Sequence, residues 1–161
     1  MGRIFAIPFT ATVTNAGGNV DLWEVLPGDD KPVLLRRLVL GQVSEVGDAA
    51  EEGLEIQILR MNATVTGGSG GAAGAPECLG EHGVSPGFTC ETNNTTVATT
   101  SGTTDILDEI AWNNRGSPCE FWWSEDKYAP RVQQGEGLFI RQATTAADDY
   151  TFAGTIYVEE L

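Results

Sequence analysis

Histidine and cationic side chains are scarce in this chain. Its 161 residues hold one His and nine Lys plus Arg against 23 Asp plus Glu, for a formal net charge of −14 and a sequence pI near 4.2. Phosphate backbones are bound by clustered cations, so this excess of carboxylates argues against a nucleic-acid partner. The same excess keeps a protein soluble and spaced from anionic surfaces. Long apolar runs are missing too. No stretch approaches the roughly 20 residues that cross a bilayer, so no membrane partner is expected. Met1-Gly2-Arg3-Ile4-Phe5 runs straight into an alternating pattern, without the features of an export signal. Ala6 stands where a myristoylated Gly2 would be followed by Ser or Thr.

The single His82 removes most catalytic and metal chemistry. A jelly-roll metalloenzyme of the cupin kind binds its metal through several histidines. A Ser or Cys nucleophile would have to take His82 as its base, and no G-x-S-x-G segment accompanies it. Cys78, His82 and Cys90 form a C-x3-H-x7-C array with no obvious fourth zinc ligand. The glycine-rich stretch lacks the Lys and Ser/Thr of a phosphate loop. Acidic pairs at Asp29-Asp30, Glu51-Glu52 and Asp148-Asp149 lack EF-hand spacing and read as solvated turns rather than calcium ligands or glycosidase carboxylates. Sequons at Asn62, Asn93 and Asn94 read as turn and edge chemistry. The three cysteines, Cys78, Cys90 and Cys119, cannot all pair within one chain, and nothing in the sequence points to an oxidising compartment for a Cys78–Cys90 bridge. No catalytic residue, cofactor or metal is expected.

What the chain does have is period-two patterning. Phe5, Ile7, Phe9, Ala11 and Val13 alternate with polar residues, and Pro8 among them suits an edge strand or bulge. Val20–Leu26 is a second strand. Pro32–Gln42 is a third, with Leu34, Leu38 and Leu40 facing one way and Val33, Leu35 and Val39 the other. Leu54, Ile56 and Ile58 alternate cleanly after a polar connection over 44–52 that has room for a helical turn. Thr66 to Ala75 is glycine-rich and predicts a long, exposed, flexible loop. Gly87–Glu91 and Thr95–Thr99 are weak strands. Asp105–Trp112 reads as a strand with Ile106, Ile110 and Trp112 on one side and Leu107 on the other. Gly137–Arg141 and Tyr150–Val158 close the chain. Eight or nine strands with short polar turns predict a single all-β domain, residues 1–161, of the jelly-roll or related antiparallel sandwich class.

Two features point outward from that core. Arg36 and Arg37, adjacent within a strand, invite ion pairs with the acidic excess, in the chain or across a subunit contact. Trp112, Phe121, Trp122, Trp123 and Tyr128 form an aromatic cluster, and consecutive Trp122 and Trp123 point to opposite faces of a strand, so both cannot enter one core. Arg36, Arg37, Trp122, Trp123 and Tyr128 are therefore the candidate interface residues. An exposed Trp122 or Trp123 would alternatively serve as a sugar-stacking platform.

The segments RIFAIPFTATVTNAGG, LWEVLPGDDKPVLLRRLVLGQVSEVGDAAEE, ILRMNATVTGGSGG and ADDYTFAGTIYVEEL resemble, in layout and style across nearly the whole chain, the small jelly-roll structural proteins of tailed bacteriophage particles. That resemblance implies a virion protein made in the host cytoplasm, most specifically a capsid decoration or cement protein. It would form a homo-oligomer, commonly a trimer, and contact the major capsid protein or other virion proteins. Other particle positions (head fibre, tail, baseplate) and a carbohydrate-binding jelly roll are the alternatives.

Overall fold

The computed structural model describes residues 2–14, 18–28, 30–43, 52–116 and 118–161. Residues 15–17 of the first turn, Asp29, the 44–51 connection and Ser117 lie outside the described residues. The strands are β1 (Arg3–Val13), β2 (Val20–Pro27), β3 (Val33–Gln42), β4 (Gly53–Met61), β5 (Val65–Thr66), β6 (Ala72–Ala73), β7 (Glu77–Cys78), β8 (Phe88–Asn94), β9 (Thr99–Thr100), β10 (Thr104–Asn113), β11 (Cys119–Trp122), β12 (Arg131–Val132), β13 (Gly137–Gln142) and β14 (Tyr150–Glu160). Sheet I runs β11-β3-β14-β1-β7, with β12 also on β3; sheet II runs β10-β4-β13-β2-β8-β6.

Eight of these strands pair as first with last: β1 with β14, β2 with β13, β3 with β11 and β4 with β10, all antiparallel. A long hairpin rolled up on itself gives that order, which is the layout of a jelly roll. The fold class is thus an antiparallel β-sandwich. Phe5, Ile7, Phe9 and Val13 of β1 meet Tyr150, Phe152, Ile156 and Val158 of β14 and Leu54, Ile56 and Ile58 of β4 in one core. Each fully buried side chain of this size contributes about 1.5–3 kcal/mol. Trp23 spans the two sheets, its Nε1 donating to the Ile7 carbonyl at 3.1 Å. Its burial is therefore not charged with an unpaired N–H. Past Ala6, β1 has no ladder partner on the side away from β14 among the described residues, which suits Pro8.

Three bulges change which residues face the core. In β3, Tyr157 pairs with Arg37 but Val158 pairs with Leu35, so Arg36 is the extra residue. The face expected from strict alternation is corrected accordingly: Val33, Leu35, Leu38 and Leu40 share the core, and both arginines lie on the outer side. In β2, Ile140 pairs with Trp23 and Arg141 with Asp21, making Leu22 the extra residue. Leu22 and Trp23 therefore both enter the core. In β10 the shift falls at Leu107, which packs on the core while Ile106 is turned out to solvent, the reverse of the side expected for both.

The glycine-rich stretch does not project. Between β4 and β10 the chain forms a strap across the edge and outer face of sheet II. There β6 pairs with β8, β5 pairs with β9, and Ser69 and Thr96 exchange backbone hydrogen bonds of 2.9 and 3.0 Å. Most of residues 66–75 are exposed, as expected, but the stretch is closely packed on one side: a Cβ on Gly71 would collide with the Thr92 carbonyl, and one on Gly74 with Cys90 Sγ. The glycines are where the strap touches β8. A second small core of Leu59, Met61, Ala98 and Phe139, joined by Leu26 and Val65, seals the strap to sheet II.

Candidate interaction surface

The outer face of sheet I is more open over β1 and β14 than at β3, where Leu34 is 2% exposed and Arg36 pairs with Asp126 of the 123–130 segment. Its centre is built of small side chains, with Thr10 and Thr12 of β1 beside Ala153, Thr151 and Thr155 of β14. The hydroxyls of Thr12 and Thr151 lie 2.9 Å apart. Toward one end the face becomes aromatic and cationic. Trp122 on the edge strand β11 pairs with Arg37 of β3, and Arg37 pairs with Tyr157 of β14, so three neighbouring strands place these side chains in a row. The Arg37 guanidinium sits 5.6 Å from the centre of the Tyr157 ring, within cation–π range.

The alternation of β11 sorts its aromatics. Phe121 and Trp123 pack against the core, stacked with their centres 5.6 Å apart, whereas Trp122 points outward and is 74% exposed. The expected split between Trp122 and Trp123 is therefore present. Tyr128, in the loop that follows, is 66% exposed, with Lys127 Nζ 4.7 Å from its ring centre. Trp112 lies in the core against Phe152. Trp122 and Tyr128 are the two most exposed large aromatics among the described residues.

The arginines are ion-paired within the chain. Arg36 donates from Nε to Glu159 at 2.6 Å and from Nη2 to Asp126 at 2.6 Å; Arg37 donates from Nε to Glu120 at 2.9 Å. Burial opposes the Arg36 charge, but the hydrogen bonds and charges of Asp126 and Glu159 outweigh it and raise its pKa. At this end of the face the two arginines are thus engaged by three carboxylates of the same chain. A partner docking here meets aromatic rings and satisfied guanidinium groups rather than bare carboxylates.

Candidate chemical groups stand elsewhere and apart. His82 is exposed. Burial pushes the Cys90 and Cys119 thiols up to about 11, so neither is a ready thiolate at neutral pH. All three cysteines are free. Among the described residues no three His, Cys, Asp or Glu side chains gather as a metal site. Asp148 and Asp149 are exposed, whereas Asp29 and Glu51, members of the other two acidic pairs, lie outside the described residues. Asn94 is fully buried and donates to Glu24, so it stands inside the protein rather than on a glycosylation surface.

Sequence reasoning missed two carboxylates. Asp21 and Glu24 face outward from β2 yet are 0% and 3% exposed, because the strap lies over them. Asp21 accepts from Arg141 Nε at 2.6 Å and from the Ala98 N–H at 2.7 Å; Glu24 accepts from the Gly68 N–H at 2.7 Å. The available signal was two acids inside the apolar run Val20-Asp21-Leu22-Trp23-Glu24-Val25-Leu26, spaced by three where a strand expects two. No family model, no curated protein and no solved structure matches the chain.

Proposed function

We propose that this protein is a non-catalytic structural subunit of a tailed-phage particle, a decoration or cement protein that associates with copies of itself and with the capsid surface. The observation that carries the reading is the outer face of sheet I, where the exposed Trp122 stands in a row with Arg37 and Tyr157 beside a field of threonine and alanine on β1 and β14. Trp, Tyr and Arg are the residues that dominate binding energy at protein interfaces. A small-residue field lets a second surface approach closely. Cyclic symmetry would use one such patch several times, and the resulting trimer would bridge neighbouring capsomers. The jelly-roll architecture, found in viral capsid domains, supports the same reading.

Native mass measurement and particle binding test it together. The expected result is a trimer that binds particles lacking the protein, and that falls apart on Trp122→Ala while keeping its fold. A chain that stays monomeric at high concentration and ignores such particles overturns the reading. Exposure of Trp122 and Tyr128 also favours a second function, sugar stacking. Binding of a glycan by the monomer, lost with Trp122→Ala, would select it instead.

A further inference from the structure

On the strapped side of the molecule, a cavity of about 500 Å³ opens between β2, β8 and the glycine-rich segment. Leu26, Ala73, Pro76 and Phe88 line its apolar part, and Glu24 and Glu91 line its acidic part. These two carboxylates are direct cross-strand partners. Opposite residues in an antiparallel pair bring their Cβ atoms to about 5 Å, and like charges placed so destabilise the sheet. Among the described residues no Lys or Arg forms a salt bridge with either one.

The floor of the cavity is short of donors. Glu24 is 3% exposed, and both of its hydrogen bonds, from the Gly68 N–H at 2.7 Å and from Asn94 Nδ2 at 3.2 Å, converge on Oε2. Oε1 receives none from the described residues and lies where a Cβ on Gly67 would overlap it. Asn94, outside the cavity lining, is 0% exposed, and its Oδ1 has no hydrogen-bond partner among the described residues. An anionic oxygen without a donor from the described residues, beside the Glu91 carboxylate on the neighbouring strand, suits a cation that brings its own N–H groups.

We propose that this cavity binds a primary alkylammonium group, its charge between Glu24 and Glu91 and its carbon chain along Leu26, Ala73 and Pro76. A bare metal ion fits less well. Hard divalent cations take six or more oxygen ligands, while the cavity offers two carboxylates and an apolar wall, in a volume suited to an organic ligand. The charged groups around Glu24 are Glu91 on β8, Asp21 on β2 and the Arg141 that pairs with Asp21 from β13. Burial, Glu91 and Asp21 together raise the Glu24 pKa, as expected of a site whose counter-charge is external to the chain. Such a group is presented by a free diamine or by a lysine side chain of a neighbouring protein.

The test is a titration of the full chain with 1,5-diaminopentane, and separately with a lysine-containing peptide blocked at both ends, followed by amide chemical shifts. Saturable shifts at Ala73, Thr89 and Glu91 are expected, with affinity falling about tenfold or more in Glu24→Gln and in Glu91→Gln. Affinity is also expected to rise with pH as Glu24 ionises. Stronger binding of the diamine identifies a free-amine site, and stronger binding of the peptide a partner's lysine. Glu91→Gln, at a half-buried position, keeps the test alive if Glu24→Gln unfolds. The proposal is overturned if neither amine shifts these amides, if hexanol or hexanoate shifts them equally, or if calcium alone binds there.

Discussion

Asp21 and Glu24 on the outer face of sheet II lie under a strap, whereas Arg36 and Arg37 on the outer face of sheet I are 17% and 43% exposed, beside an exposed tryptophan. Both pairs of charges come from strands in which a bulge keeps polar side chains out of the core. The covered face then had to supply internal partners: Arg141 and the Ala98 N–H for Asp21, the Gly68 N–H and Asn94 for Glu24. The open face pairs its arginines with surface carboxylates and leaves Trp122 and Tyr128 to solvent. The contrast teaches where each face keeps its consequences. On the covered face substitutions act on folding, and on the open face they act on association.

The largest effect expected from that contrast is Asp21→Ala. It strands the Arg141 guanidinium, 13% exposed, without its counter-charge, and is expected to lower the unfolding free energy by about 3–5 kcal/mol in urea titrations. A loss below about 1 kcal/mol would erase the distinction between the faces. Next comes Trp122→Ala, which is expected to leave stability within about 0.5 kcal/mol of wild type while weakening self-association tenfold or more by sedimentation velocity. Unchanged association would break the comparison from the other side. Arg37→Ala is smaller still. Its pair with Glu120 is nearly half-exposed, so thermal unfolding is expected to report less than about 1 kcal/mol.

The smallest effect sharpens the covered face through pH. Burial, with Glu91 and Asp21 nearby, raises the Glu24 pKa from its ordinary 4.5. The folded chain then holds this proton more tightly than the unfolded one. Glu24's contribution to stability is therefore fully present below pH 4.5 and is lost as pH rises through the elevated value. Glu24→Gln is expected to flatten that part of the stability–pH curve, gaining on wild type toward neutral pH. A curve unchanged by the substitution would show that the carboxylate is not desolvated under the strap.

Elements with unbroken alternation are legible in the amino-acid sequence itself. Phe5 to Val13, Leu54 to Ile58 and Tyr150 to Val158 face the core as their period-two spacing says. The orientation of Leu34 against Leu35, and of Ile106 against Leu107, is not legible there, because a bulge shifts the parity of a strand by one residue and is set by its distant partner. The strap escapes sequence reasoning for a related reason. Composition alone cannot separate a Gly-rich linker from a Gly-rich close contact, and the Thr92 carbonyl and Cys90 thiol that require glycine at positions 71 and 74 are brought there by tertiary structure. On the candidate surface, the divergence of Trp122 from Trp123 follows from adjacency in any strand. The shared side of Arg36 and Arg37 needs the bulge.

The pairing of β1 with β14 carries a consequence in time. Thr12 and Thr151 touch across 139 residues of chain, and the only other partner of β1 among the described residues is the two-residue β7. At about 5–20 residues per second, a growing chain would hold Phe5, Ile7 and Phe9 without their long partner strand for roughly 7–28 s. Pro8 within β1 and the charged Arg3 at its start make that waiting strand a poor template for other chains. During synthesis, closure of the roll through the β1–β14 pairing waits until β14 has been made.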